Sequence, residues 1–454
     1  MEQKIKVNDV IELDIKRMGI NGEGVGYFEK LAVFVDNALP GEKIKVLVTE
    51  VFDNRANATL IDIIVQSKDR IAPFCSVYDA CGGCQTQHFD YQAMLTQKRE
   101  ILIKSLDRYL KRYDKHIIKE TIGMDDPMHY RNKASLPLRK LMGKNRFGMY
   151  ERGTNDFIPI DDCGVQNSKI NEVLSTIVSL MDRYQIDAFD VKTNTGYISN
   201  VVVRTTQLIN EVQIVFVVPK KMTFMDAFIM NLVTIHPEIK SIYYVINDFH
   251  KQSFFTEESI LIYGKQTIEE KLQKFDFSLK PDVFFQLNIV QADKFYQMME
   301  TLADLKGHEI IIDAYAGIAP ISHYMHKKAK KIYAIETNEE AFLSAKNALE
   351  KNQIFNVTLL KDELNHALEN LSETHIDLML LDPTKVGLGI DTINAIKKYL
   401  PKRIIYGSSN PSTLAKDLVD LTEVYDIVSI IPFDMFPYTS LVESITLLEL
   451  KTVL

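Results

Sequence analysis

Three groups of residues in this sequence have the types and spacing of reactive sites. Cys75, Cys81 and Cys84 form a C-x5-C-G-G-C run, and Cys163 lies in Ile160-Asp161-Asp162-Cys163-Gly164; these are all four cysteines of the chain. Three thiols within ten residues plus one distant thiol make a four-ligand metal site, with iron–sulfur or zinc as candidates. Gly82 and Gly83 let that loop turn tightly. The second group is the turn Ala314-Tyr315-Ala316-Gly317-Ile318-Ala319, between an apolar strand at Glu309–Asp313 and a helix reaching Ala329. A strand at Lys331–Ile335 follows and ends in Glu336. An acid about twenty residues beyond such a glycine turn can hold a ribose diol. The third is Ile404–Leu414, a buried strand that breaks at Gly407-Ser408-Ser409-Asn410-Pro411 and leads into a helix. In an open α/β sheet the turn after the carboxyl end of a strand is where ligands and catalytic groups sit.

S-adenosylmethionine carries a ribose and an adenine but no pyrophosphate, so a single glycine suffices where a three-glycine pattern would be expected for NAD. A second acid turn follows the strand Asp377–Leu381 as Asp382-Pro383-Thr384-Lys385. Ser278–Gln286 (SLKPDVFFQ) and a helix over about 290–305 lead into this part of the chain. Upstream, residues 167–280 read as mixed α/β, with strands near 198–204, 212–218 and 242–246 and a helix near 225–235. That stretch reads as scaffold, with Arg204 a candidate contact for a polyanionic partner. Residues 1–66 alternate in strand fashion at Val10–Ile15, Leu31–Val35, Ile44–Val51 and Ala58–Val65. Turns fall at Asn21-Gly22-Glu23-Gly24 and Leu39-Pro40-Gly41-Glu42. Short strands at this spacing suggest a small β-barrel of oligonucleotide-binding type, or one serving as a protein-docking module.

A chain of 454 residues exceeds one hydrophobic core, so two to four domains are expected. With 46% hydrophobic and 25% charged residues and no low-complexity tract it has an ordinary globular composition. No apolar run approaches the roughly 18 residues of a membrane span, and the N-terminus does not read as a signal peptide. A cytoplasmic protein with no membrane partner is expected, in which disulfides are improbable. The net charge of −8 argues mildly against nucleic acid, but the charge is uneven. Residues 131–152 carry seven basic side chains (Arg131, Lys133, Arg139, Lys140, Lys144, Arg146, Arg152) against the single acid Glu151. Residues 98–115 add Lys98, Arg99, Lys104, Arg108, Lys111, Arg112 and Lys115 against three acids. Such runs are either solvated faces or, on an acidic protein too, phosphate-binding surfaces.

CSVYDACGGCQTQH, YRNKASLPLR and GMYERGTNDFIPIDDCGVQ follow, in order, the central domain of the RNA uracil-5-methyltransferases that carry a four-iron four-sulfur (4Fe-4S) cluster. NGEGVGYF with AVFVDNALPGE resembles the TRAM domain found at the front of many RNA-modifying enzymes, where it offers a groove for single-stranded or looped RNA. GSSNP resembles that family's S-C-N-P signature, with Ser409 where the family has its catalytic cysteine. DMFPYTSLVES resembles M-F-P-x-T-x-H-V-E, with Glu443 retained as general base and Leu441 in place of the histidine. Asp382-Pro383-Thr384-Lys385 stands where the family has D-P-P-R. The resemblance spans nearly the whole chain. It implies a TRAM-like, OB-like barrel over 1–66, a central α/β domain with the iron–sulfur loop and a basic RNA-facing surface over 67–278, and a doubly wound, Rossmann-like methyltransferase domain over 279–454.

It further implies S-adenosylmethionine held by Gln286, Tyr315, Glu336 and Asp382, and a 4Fe-4S cluster on Cys75, Cys81, Cys84 and Cys163. The partner is ribosomal or transfer RNA, and the protein acts as a monomer. In the family's chemistry a thiolate adds to C6 of uracil, C5 attacks the sulfonium methyl, and a base removes the C5 proton. A serine hydroxyl is a weak nucleophile without an adjacent base, and none is visible near Ser409. Two readings follow: a uridine-C5 methyltransferase impaired at its nucleophile, or an inactive paralogue that binds RNA and the methyl donor. Thr384, Lys385, Gly407, Ala319 and Leu441 depart from the family together, which favours natural drift over a single replacement.

Overall fold

A computed structural model describes residues 5–223, 225–247, 255, 259–371, 373 and 375–452. The chain divides into two compact units. One gathers Met1–Tyr78, Gly83–Asp125 and Pro383–Leu454; the other comprises Asp79–Gly82 and Asp126–Asp382.

In the first unit the strands Val10–Met18, Gly24–Phe28, Leu31–Val35, Lys43–Val51 and Arg55–Val65 close into a five-stranded barrel. Alternate residues point inward, so Leu13, Ile15, Val33, Val35, Ile44, Val46, Val48 and Ala56 form its core. Leu31–Val35 lies parallel to Arg55–Val65; the other pairings are antiparallel. Sequence reading placed only a turn at Asn21–Gly24 and missed the strand after it. Its glycines hide it, because glycine is depleted in strands. Here they are needed: a Cβ at Gly24 would lie 2.6 Å from the Ala38 carbonyl oxygen, and one at Gly26 2.9 Å from that of Asp14.

The helix Tyr91–Tyr109 starts on Asp90, whose carboxylate accepts the Ala93 N–H at 3.0 Å. It packs against the helix Pro411–Leu421. Strand Arg403–Ser408 runs antiparallel to Glu443–Leu450, which runs antiparallel to Tyr425–Phe433.

In the second unit a seven-stranded sheet contains Lys133–Leu141, Lys144–Tyr150, Phe157–Pro159, Asn200–Thr205, Val212–Val218, Ile239–Ile246 and Ile260–Gly264. A Rossmann-like layer follows, with parallel strands in the spatial order Val357–Leu360, Lys331–Ile335, Ile310–Ala314, Leu378–Leu381. The chain leaves Ile310–Ala314 in one direction across the sheet and returns on its other side. The turn after that strand therefore lies at a topological switch point, where open α/β sheets bind ligands.

Candidate functional site

The switch-point turn carries unusual backbone. Tyr315 (φ 61°), Gly317 (φ 56°) and Ala319 (φ 60°) are all left-handed, a conformation costly for the two residues with a Cβ. The strand hydrogen bonds continue through it, with the Ala316 N–H on the Ile335 carbonyl at 3.0 Å. Glu336 then closes the turn: one carboxylate oxygen accepts the Gly317 N–H at 2.8 Å and the other the Asn338 N–H at 2.7 Å. Each oxygen keeps a second acceptor position, which is what a ribose diol requires.

Asp313, which sequence reading passed over, sits fully buried behind this turn. The Ser322 hydroxyl donates to its Oδ2 at 2.6 Å, while Oδ1 has no hydrogen-bond partner among the described residues. Burial pushes its carboxyl up to about 7, the Ser322 bonds pull it down, and the charge of Glu336 adds to the rise. Asp382 ends the adjacent strand, where Ala314 faces Leu381, and it too is pushed up to about 7, by burial and then by the charge of Asp313. The signal in the sequence was an acid closing an apolar strand directly before the glycine turn. The structure thus gathers Glu336, Asp382 and Asp313 around one turn that carries Tyr315. The Glu336 carboxylate, held at the turn by two backbone N–H groups, fits a donor that carries a ribose.

Gln286 lies upstream of the helix Ile289–Ala303, nearly buried, with its backbone carbonyl taking the Asn132 side-chain amide at 3.0 Å. Phe284, two residues earlier, is 71% exposed between the buried Val283 and Phe285. A phenyl ring left in solvent there is a stacking surface that sequence reading missed; its signal was the pair Phe284-Phe285, one ring per face of an extended segment.

In the other unit, Ser409 follows the strand Arg403–Ser408, and Glu443 opens the strand Glu443–Leu450. Their ladder pairs Gly407 with Ile445 and Ser408 with Ser444, so the next step of the register sets Ser409 opposite Glu443. Two positions 34 residues apart in sequence are thereby brought to one end of one ladder. Asn410 caps the helix Pro411–Leu421 by accepting the Ser412 N–H at 2.9 Å. Asn410 and Thr413 both donate to the Lys385 carbonyl at 3.4 Å, tying the nucleophile turn to the segment after Asp382-Pro383. Thr384 and Lys385 are exposed, as is Leu441. No hydrogen-bond partner is found for the Ser409 hydroxyl among the described residues.

Two basic residues depart from the expectation of solvated, phosphate-facing cations. Lys98 is fully buried: its Nζ donates to Asp434 Oδ1 at 2.5 Å, to the Leu441 carbonyl at 2.7 Å and to the Phe436 carbonyl at 3.2 Å. Arg204, expected as an RNA contact, is buried and donates to the Lys280 and Val283 carbonyls at 3.0 and 2.8 Å. It braces the segment before Phe284 and has no face for a phosphate. Elsewhere the basic run does make a surface. Arg139 and Arg146 stand directly opposite each other across a hairpin, a like-charge pairing that an anion would relieve.

Of the four cysteines Cys84 is buried, and Cys75, Cys81 and Cys163 are half-buried. Among the described residues no three His, Cys, Asp or Glu side chains are gathered so as to hold a metal ion. The chemistry of the donor set suits a metal, and the geometry lends the expected four-thiol site no support.

Comparison with known proteins places these features. Residues 90–451 match the family model described as tRNA (Uracil-5-)-methyltransferase, and residues 4–61 match that of the TRAM domain. An uncharacterized RNA methyltransferase of Halalkalibacterium halodurans is 38% identical over 98% of this chain and 97% of its own length. Another, of Listeria innocua, is 36% identical over 96% of this chain and 97% of its own. The tRNA (uracil-54, C5)-methyltransferase of Pyrococcus abyssi, solved with S-adenosyl-L-homocysteine, shares the fold at a TM-score of 0.76. It is 24% identical and is matched over 96% of this chain and 100% of its own. With a TRAM barrel at its front and the family model running from the capped helix to the last strand, this chain belongs to the tRNA (uracil-5-)-methyltransferase family.

Proposed function

We propose that this protein binds S-adenosylmethionine and RNA and methylates C5 of a uridine in ribosomal or transfer RNA, at a rate limited by serine at the nucleophile position. The observation that carries the donor half is Glu336 clamped on the Gly317 N–H at the switch-point turn. When bound, the donor supplies an electrophilic methyl group. Glu336 receives the ribose diol, and Tyr315, Asp382 and Gln286 complete the cradle. Phe284 stacks on the base. At the other end of the reaction Ser409 Oγ adds to C6 of the ring while its proton passes to solvent. C5 attacks the donor methyl, and the S–CH3 bond breaks to leave S-adenosylhomocysteine. Glu443, the ladder neighbour of Ser409, then takes the C5 proton as the C6–O bond breaks and the serine oxygen regains a proton from solvent.

The unaccompanied Ser409 hydroxyl favours the second reading as well: a paralogue that holds RNA and donor without turnover. Labour divides along the chain as barrel (1–66), central RNA-facing part (67–278) and methyl-donor part (279–454). We place the protein in the cytoplasm, acting as a monomer; among the described residues no helix is long and apolar enough to cross a membrane.

Calorimetric titration with S-adenosylmethionine tests the donor site. Glu336→Gln removes the charge from the diol hydrogen bonds and is expected to weaken binding roughly 10–100-fold, each charge-assisted bond contributing about 1.5–3 kcal/mol. A natural protein that binds no donor at all would overturn the reading.

For the cysteines, we propose a 4Fe-4S cluster on Cys75, Cys81, Cys84 and Cys163, supported by the count and spacing of the four cysteines in the sequence. Anaerobic purification should give a brown protein with iron and acid-labile sulfide, lost in Cys84→Ser. A colourless protein containing zinc would replace the cluster with a zinc site.

A further inference from the structure

The ladder pairs Phe433 with Glu443, so a hairpin loop of about two to five residues would suffice to join the strands Tyr425–Phe433 and Glu443–Leu450. The chain spends nine, Asp434 to Val442, and of these only Leu441 is exposed. In the middle of the loop Tyr438 has φ 64°. A bulky side chain at positive φ is strained, and such strain persists only where the surroundings over-determine it.

The surroundings of Tyr438 do so from several sides. The Gln85 and Thr86 N–H groups both donate to its carbonyl, at 3.0 and 3.1 Å. Phe74 meets its ring edge-on with centroids 5.0 Å apart, and the Tyr91 ring lies tilted against it at 6.1 Å. The barrel turn closes in as well: a Cβ at Gly22 would lie 2.9 Å from Gln85 Cβ and 3.4 Å from Ser440 Cβ. Lys98 holds the Phe436 and Leu441 carbonyls. Val442 is then buried with Met18, Leu39 and Phe89, and Glu443 comes next. Phe74 directly precedes Cys75 and Gln85 directly follows Cys84, so the cysteine loop itself grips the stretch of chain that delivers Glu443.

We infer that Tyr438 is a positioning residue for the general base, and that the cysteine loop sets it through Phe74, Gln85 and Thr86. The inference rests on the reading of Glu443 as that base and adds what holds it in place. A shift of about 1 Å in a reacting group can cost about 10²-fold in rate. Here the loss falls on one step. In the Ser409→Cys protein the thiolate adds to C6, C5 takes the methyl, and S-adenosylhomocysteine is left. C5 then carries both a methyl and a proton. When the base removes that proton, the C5–H electron pair forms the C5=C6 bond and the C6–S bond breaks to expel the thiolate. With the base misplaced, methylated RNA stays bonded to the protein.

Labelled S-adenosylmethionine with unmodified ribosomal and transfer RNA, followed by nuclease digestion and a denaturing gel, measures the label that stays on the protein. In the Ser409→Cys background Tyr438→Asn is expected to lower turnover about 10²-fold and to trap label, as Glu443→Gln does. Asparagine accepts positive φ but has no ring to meet Phe74. Tyr438→Phe keeps the ring and should turn over like its Ser409→Cys parent. The urea midpoint and donor affinity of the Asn variant should match the parent. If that variant unfolds, Phe74→Ala, at a residue 44% exposed, carries the same test. Turnover equal to the parent would overturn the inference. So would lost turnover without trapped label, because a merely structural fault stops the cycle before methyl transfer. If Glu443→Gln itself traps nothing, the base assignment falls and the inference with it.

Discussion

Ser409→Cys is expected to raise methyl transfer to unmodified RNA by about 10²–10⁴-fold over the natural protein, the contribution a positioned proton-transfer group makes. A thiol with a pKa near about 8.5 supplies some thiolate at neutral pH unaided, whereas a hydroxyl must lose its proton to a neighbour during attack. Among the described residues Ser409 has no hydrogen-bond partner to receive that proton. On the proposed mechanism Glu443, facing it across the ladder, takes the C5 proton later in the same cycle, and Glu443→Gln should abolish the gain. Labelled S-adenosylmethionine with ribosomal and transfer RNA, followed by nucleoside analysis for 5-methyluridine, gives the measurement. If the natural protein turns over as fast as the variant, another nucleophile is at work. If only the variant turns over, donor site and base are sound and the natural chain is an RNA-binding protein. If neither does, the departures at Thr384, Lys385 and Leu441 also matter.

Lys98→Met should destabilise the first unit by about 3–5 kcal/mol, the cost of stripping one partner from a buried ion pair. Burial pushes the Lys98 ammonium down, and the Asp434 carboxylate pulls it back up. Without the ammonium, Asp434 loses its ion-pair partner in the interior, and the Phe436 and Leu441 carbonyls each lose the Lys98 donor. A lower urea midpoint, read on barrel and helix signals, measures this; a loss below about 1 kcal/mol would show the pair to be dispensable. Because Leu441 lies two residues before Glu443, the same change made together with Ser409→Cys should lower turnover more than it lowers donor affinity.

Hydrophobic periodicity in the sequence sufficed for most of the framework. Lys331–Ile335 and Leu31–Val35 appear as expected, and the helix expected over 290–305 spans Ile289–Ala303. Fixed-offset motifs carried the donor turn, since Glu336 must lie one strand beyond Gly317 to reach its N–H. Side chains whose role depends on distant partners were illegible. Lys98 and Arg204 look like any surface cation until residues 336 and 76 positions away are seen to enclose them. Gly24–Phe28 escaped because close approach of neighbouring backbone, rather than side-chain pattern, makes it a strand. Asp313 reads as an ordinary strand end until its second oxygen is found without a partner.

The first unit is assembled from three stretches of chain, the last of which begins at Pro383. During synthesis the helix Tyr91–Tyr109 leaves the ribosome before the helix Pro411–Leu421 that it packs against, and before Val442, which joins Met94 and Ile101 in one apolar cluster. At the usual pace of translation the wait is roughly 15–60 s, long compared with the collapse of the barrel ahead of it. For that interval the nascent chain displays a sticky helix beside a finished barrel, a natural client for a ribosome-associated chaperone. A message truncated before codon 411 would leave it that way permanently.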